Sequence, residues 1–295
     1  MFEIFGMDSG LLLSQLLIGL VQGCFYALLS LGLAVIFGVL NIVNFAHGAF
    51  YMLGAMLAYA TLTYFRLSYW WALILCPVVV AAAGMLLERT LLRRLYRLDH
   101  LYGLLLTFGV ALLLEGAFLN AFGASGQPYR PPPELEGGFD LGFMYLPGYR
   151  LWVVGCALAL CVLCWFVIER THMGALLRAG TENSKMLQAL GVNVPALVTL
   201  TYGAGVALAA IAGVLAAPVT QVSPLMGSNV LIVIFAVVVI GGMGSIAGSV
   251  LTGVGLGLIE AVTKVVYPSF SSTVVFLVMV IVLLVRPSGL FGRTT

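Results

Sequence analysis

Residues 11–37 read LLLSQLLIGLVQGCFYALLSLGLAVIF, an apolar run without a charged residue. About 20 such residues cross the hydrocarbon of a bilayer as a helix, so this run spans it with residues to spare. The next stretch, NIVNFAHGAF at 41–50, holds two asparagines, a glycine and one of the three histidines of the chain. Polar groups are costly at membrane depth. The first question is what Asn41, Asn44 and His47 do beside such a helix.

The rest of the chain repeats the first pattern. Of its 295 residues, 62% are hydrophobic and 8% charged, and the mean hydropathy is +1.14. So few charges cannot cover a water-soluble domain of this size. Apolar runs recur at 11–37, 46–65, 70–88, 101–122, 150–168, 195–217, 229–243, 249–267 and 272–286. They do not alternate apolar and polar residues as barrel strands do. The fold expected is an all-α, polytopic membrane bundle of about nine spans, one domain over 1–295. A net charge of +2 gives no basis for nucleic-acid binding. The N-terminal MFEIFGMDSG has no basic region, so no cleaved signal peptide is expected. Cys24, Cys76, Cys156, Cys161 and Cys164 all fall in apolar runs without metal-ligand spacing, and they read as small buried residues.

Arginine and lysine orient the spans. Arg89, Arg93, Arg94 and Arg97 follow the third run; Arg170, Arg178 and Lys185 lie in 169–193; Arg286 and Arg293 flank the C-terminus. These regions are expected in the cytoplasm. The acidic N-terminus (Glu3, Asp8) and the loop 123–149 (Glu134, Glu136, Asp140) are expected outside. The helix count between them agrees with nine spans, N-terminus out and C-terminus in. The outer loop carries PYRPPPELEGG, whose consecutive prolines favour an extended segment.

Glycines four apart let membrane helices approach closely. Gly19 and Gly23, Gly244 and Gly248, and Gly253 and Gly257 have that spacing, and Gly205, Ala209 and Gly213 continue it in the sixth run. Projected at 100° per residue, Gln15, Gly19, Gln22, Gly23, Tyr26 and Ser30 share one face of the first helix, leaving the opposite face to lipid. Asn41, Asn44, His47, Gly48, Tyr51, Ala55 and Ala58 share a face of the second. Two such stripes on neighbouring helices suggest a lined passage. A structural role is the alternative: the asparagines cap or break a helix, and His47 satisfies a buried carbonyl. Glu260 and Lys264, four apart, form a favourable helical pair. Glu115 has no local partner.

The segment GALLRAGTENSKMLQALGVNVP, starting at Gly174, reads as a short amphipathic helix. Thr181 is its expected cap, Glu182 lies in the first turn and Gly191 is the stop. Met186, Leu187 and Leu190 form an apolar edge that suits a docking partner. No GxxxxGK[ST] phosphate loop, HExxH or GxSxG is present. The sequence therefore offers no catalytic residue, metal or cofactor site. Energy for any transport must come from a partner or an ion gradient.

The chain resembles the LivH-type permeases of branched-chain amino acid ABC transporters over nearly its whole length. The resemblance rests on NIVNFAHGAFYMLGA (41–55), ERTLLRRL (88–95), MGALLRAGTENSKMLQALGVN (173–193), AGVLAAP (212–218), VVVIGGMGSIAGSVLTGVGLGLIEA (237–261) and RPSGLFG (286–292). It implies a bacterial inner-membrane importer. A periplasmic binding protein delivers the substrate, two permeases (this chain and a LivM-type homologue) form the path, and two cytoplasmic ATPases drive it. Gly174, Arg178, Glu182 and Gly191 match the ATPase-coupling region of the family. Gln22, Tyr26, Asn41, Asn44, His47 and Tyr51, with Gly241, Gly242, Gly244 and Ser245 of the GGMGSIAG break, are the candidate pathway residues. That glycine-rich break supplies flexible backbone suited to a re-entrant turn. The alternatives are a permease for urea or short amides, or a stand-alone carrier driven by an ion gradient.

Overall fold

The structure, a computed structural model, describes residues 3–4, 7–40, 43–96 and 98–292. It is a bundle of helices: α1 (Ser9–Leu40), α2 (Ala46–Thr63), α3 (Tyr69–Leu95), α4 (His100–Phe122), α5 (Gly148–Arg170), α6 (His172–Glu182), α7 (Ser184–Ala189), α8 (Val194–Ala216), α9 (Met226–Gly241), α10 (Ile246–Val266) and α11 (Val274–Val285). Short hairpins, β1 (Glu3–Ile4) with β2 (Met7–Asp8) and β3 (Gly138–Asp140) with β4 (Tyr145–Pro147), lie outside it.

Each apolar run is a helix, but length separates them. Six of the described helices are long and apolar enough to cross a membrane: α1, α3, α4, α5, α8 and α10. α9 and α11 are apolar but have only 16 and 12 residues, about 24 and 18 Å at 1.5 Å per residue. α2 has 18 residues but is diluted by His47, glycines and tyrosines. Length and composition therefore identify six candidate spans among the described helices, and the nine expected are reached only with α2, α9 and α11 counted.

The centre of the bundle is α1, and beyond its exposed first turns the lipid-facing side expected for it is covered. From Gly23 to Ala34 every residue is buried, because α5, α8, α9 and α10 surround the helix. Its small-residue stripe faces α10, which runs antiparallel to it. The two glycine pairs found in the sequence are partners here. A Cβ built on Gly19 would lie 2.7 Å from the Gly257 carbonyl oxygen. One on Gly253 would lie 2.5 Å from the Ala27 nitrogen. Only hydrogen at those positions allows the two backbones to touch. Gly205 likewise meets Gly32 across α8 and α1. The Gly244–Gly248 spacing means something else, since Gly244 lies in the turn before α10 rather than on a helix face.

α1 and α2 are not neighbours along their lengths. α2 packs on α3, α8 and α9, with α4 over its start. At one end of the bundle the Tyr149 hydroxyl lies 3.0 Å from both the Tyr69 hydroxyl and the Leu215 carbonyl, joining the starts of α5 and α3 to the end of α8. Gln127 of the long loop pairs with Val222 there. Pro132 is extended, but a 3-10 turn starts at Pro133. The stiff segment expected from the prolines is therefore short. The opposite end gathers Tyr96, residues 98–100, α6, α7, the 242–245 turn and the C-terminal 286–292.

Candidate functional site

The start of α2 lies inside the bundle. The first N–H groups of a helix have no partners within it, and a buried polar group needs one. Asn44, 1% exposed, resolves this. Its Oδ1 accepts from the Ala46 N–H at 3.1 Å, and its carbonyl accepts from the His47 N–H at 3.2 Å. The Phe45 N–H donates to the Thr107 hydroxyl of α4 at 3.1 Å. The Asn44 amide then donates to the Tyr202 hydroxyl of α8 at 3.1 Å. Phe45 is held by Phe108 and Phe235 rings, at 5.9 and 5.0 Å between centroids.

His47 is also 1% exposed. Its Nε2 donates to the Leu29 carbonyl of α1 at 3.0 Å, which leaves Nδ1 as an acceptor with no partner among the described residues. Gly48 meets Gly227, where a Cβ would lie 2.5 Å from the carbonyl oxygen. Tyr51 is buried, and its backbone supports Gly213. The stripe of α2 thus faces α1, α8 and α9 at close range. Within the single chain, Asn44 and His47 do not reach solvent. Asn41 lies outside the described residues.

Gln22 and Tyr26 belong to a different cluster, on the α1–α10 seam. The Tyr26 hydroxyl donates to Glu260 Oε2 at 2.9 Å, and Lys264 closes the expected ion pair with Glu260 at 2.7 Å. The side chain of Gln22 also reaches the Tyr26 hydroxyl.

Gly241, Gly242, Gly244 and Ser245 form a tight turn from α9 to α10. Gly242 and Gly244 have φ of 98° and 81°, left-handed values that favour glycine. Ser245 caps α10 by accepting from the Gly248 N–H at 3.1 Å. The C-terminal RPSGLFG folds under this turn. The Leu290 and Phe291 N–H groups donate to the Ile240 and Gly241 carbonyls at 2.8 and 3.1 Å, satisfying the open end of α9. Two sequence motifs far apart in the chain are one structural unit.

In the candidate coupling segment, Gly174 starts a close corner. A Cβ there would lie 2.7 Å from the Ile168 Cα and nearer still to its carbonyl. Arg178 Nη1 donates to the Ile168 carbonyl at 2.6 Å and lies 3.4 Å from Glu169 Oε2. It thereby closes the C-terminal end of α5 with a cation, the favourable sign there. The single helix expected from Thr181 onward is two. Thr181 bonds back to the Arg178 carbonyl and Glu182 ends α6. Asn183 breaks the helix and caps α7 through Met186 N–H at 3.0 Å. Gly191 is the stop expected, with φ 86°. Leu187 points inward to Val194 and Leu197, while Met186 and Leu190 are exposed.

Two of the groups meet. A cavity of about 420 Å³ is lined by Arg178 and Thr181 on one wall and by Gly244 and Ser245 on the other, with Val35 and Phe37 of α1 between them. A second, of about 380 Å³, is lined by α6 and α7 and by Tyr96 and residues 98–100.

Sequence reasoning missed Glu88, Tyr96, Thr199 and Tyr202. Glu88, read as part of a basic cytoplasmic stretch, is 0% exposed. It accepts from the Tyr96 hydroxyl at 2.8 Å and the Thr199 hydroxyl at 2.6 Å. Burial, reinforced by the bond to Glu88, pushes the Tyr96 phenol well above its usual range and keeps it neutral. The available signal was TLTYGAG at 199–205, whose Thr199 and Tyr202 fall three apart on one side of a helix.

The family model described as branched-chain amino acid transport system / permease component matches residues 15–283. The chain is 31% identical to the high-affinity branched-chain amino acid transport system permease protein BraD of Pseudomonas aeruginosa, over 95% of this chain and 96% of that one. It is 30% identical to LivH of Escherichia coli (strain K12), over 95% and 96%. It is 31% identical to LivM of Salmonella typhimurium, over 91% of this chain and 68% of that one. No solved structure matches.

Proposed function

Because this chain belongs to the branched-chain amino acid transport system permease family, we propose that it is a translocation subunit of an ABC importer. It carries leucine, isoleucine, valine or related amino acids across a bacterial inner membrane. It is not itself an enzyme. Two cytoplasmic ATPases supply the energy, a periplasmic binding protein delivers the substrate, and a second permease of the LivM kind completes the path. The chain acts as one membrane domain of nine crossings, N-terminus outside and C-terminus in the cytoplasm. The gathering of Arg93, Arg178 and the 286–292 turn at one end, opposite the loop with Glu134, Glu136 and Asp140, supports that orientation.

One observation carries the mechanism. The coupling candidate Arg178, with Thr181 of the same segment, shares a cavity with the Gly244–Ser245 turn. Gly174, Arg178, Glu182 and Gly191 shape the segment that meets the ATPase. When nucleotide binding displaces that segment, the cavity gives it room to move against the turn. The turn, and the buried start of α2 at Asn44, His47 and Tyr51, gate the path. Gln22 and Tyr26 sit toward its outer half. Amides, phenols and one imidazole can meet a zwitterion without trapping it.

The test is reconstitution of this chain with its ATPases, binding protein and second permease in liposomes, assayed against leucine, isoleucine, valine, urea and acetamide. ATP-dependent uptake of the branched-chain amino acids is the expected outcome. Accumulation by this chain alone, driven by an ion gradient, would refute the reading.

A further inference from the structure

Glu88 is a carboxylate with no exposed surface and no cation within ion-pair distance among the described residues. A buried carboxylate without a cation is costly unless hydrogen bonds satisfy its oxygens. It opens a single π turn, Glu88–Leu92, near the end of α3. Such turns insert a residue into a helix and often mark functional positions. Its two oxygens reach different elements. Oε1 accepts from Tyr96, in the connection that follows α3, and Oε2 meets the Thr199 hydroxyl on α8.

α8 is the direct continuation of the coupling segment. Asn193 caps it by accepting from the Ala196 N–H at 3.1 Å, and Leu187 of α7 packs on Val194 and Leu197. Three residues beyond Thr199, Tyr202 accepts from Asn44. The first three turns of α8 therefore hold α3 through Glu88 and the buried start of α2 through Asn44. The 380 Å³ cavity is lined by α6, α7 and the start of α8 on one side and by Tyr96 and residues 98–100 on the other. α7 packs directly on α8, so a push on α7 reaches α8.

We propose that Glu88 is a positioning residue for coupled transport: it ties α3 to α8, so that α2, α3 and α8 answer a displacement of α7 as one body. The inference rests on the ABC permease reading.

The test uses the full reconstituted complex and counts ATP hydrolysed per leucine imported. Glu88→Leu removes both bonds. Thr199→Val breaks the link from α8 and leaves Glu88 and Tyr96 in place, so it remains informative if Glu88→Leu fails to assemble. Both should raise the ratio about fivefold or more. Glu88→Gln should keep it near wild type. Its carbonyl accepts from Tyr96, and its amide donates to Thr199, whose own proton goes to the Pro195 carbonyl, 3.0 Å away. A wild-type ratio in both Glu88→Leu and Thr199→Val, including rates that fall in parallel, overturns the proposal. So does a Glu88→Gln variant that uncouples as fully as Glu88→Leu, because then the charge and not the link matters. A wild-type complex that neither imports leucine nor hydrolyses ATP in response to it overturns the permease reading, and this inference with it.

Discussion

Replacing Gly253 by alanine should destabilise the bundle, while the same change at Gly255, two residues away in α10, should not. A Cβ on Gly253 would lie 2.5 Å from the Ala27 nitrogen, 2.6 Å from its Cα and 2.9 Å from the Tyr26 carbonyl carbon. All three are backbone atoms, so no rotamer change relieves the clash. Ordinary contact begins near 3.4 Å, and α1 must therefore retreat by about 1 Å. Overpacking of that kind costs about 1–3 kcal/mol. A Cβ on Gly255 meets nothing within 4 Å. Alanine gains about 1 kcal/mol of helix propensity over glycine, and the gain is common to both sites. It cancels in the comparison, which leaves Gly253→Ala less stable than Gly255→Ala by about 1–3 kcal/mol. The assay is reversible unfolding of the purified chain in mixed micelles by increasing SDS, followed by tryptophan fluorescence. Equal stability of the two variants would refute a contact seam between α1 and α10. A more stable Gly253→Ala would refute it more strongly.

Three further outcomes follow from the same geometry. Asn44→Leu orphans the Ala46 N–H and should cost about 1–3 kcal/mol. Tyr202→Phe orphans the Asn44 amide at a similar cost, and the double variant should cost less than the sum; additive losses in the same unfolding assay would separate the two residues. Gly174→Ala should leave membrane insertion intact while lowering ATP-driven leucine uptake about tenfold, because α6 is forced away from Ile168; normal uptake would remove the case for this corner. Ser245→Ala should cost about 1 kcal/mol through the lost cap of α10, measured as a shift of the SDS midpoint.

How far each feature could be read in advance followed from the range of the forces behind it. The apolar runs and the glycine spacing are local. Each run is nearly charge-free, and Gly19, Gly23, Gly253 and Gly257 each show a small face whatever lies opposite. The Glu260–Lys264 pair and the stop at Gly191 were legible for the same reason, since i,i+4 attraction and a positive φ act within a turn. Thr181 was misread because two polar residues, Thr181 and Asn183, could each end or begin a helix, and only the packing of Leu187 on Val194 and Leu197 selects the second.

The amino-acid sequence by itself determined that the chain is a glycine-packed helical membrane protein of the branched-chain permease kind. Hydrophobicity and backbone sterics are properties of single residues and short windows, and they need no partner to be read. The tertiary structure alone decided which stripe faces which. It set the glycines of α1 against α10 rather than beside α2, and it buried the supposed lipid face of α1. It also turned NIVNFAHGAF from a polar stripe into an interior helix start that Asn44, Thr107 and Tyr202 satisfy together. Those choices depend on pairing groups as far apart in the chain as Asn44 and Tyr202, or Glu88 and Thr199. A buried polar atom must find a partner wherever the fold supplies one, and nothing in the residues around it says where that will be.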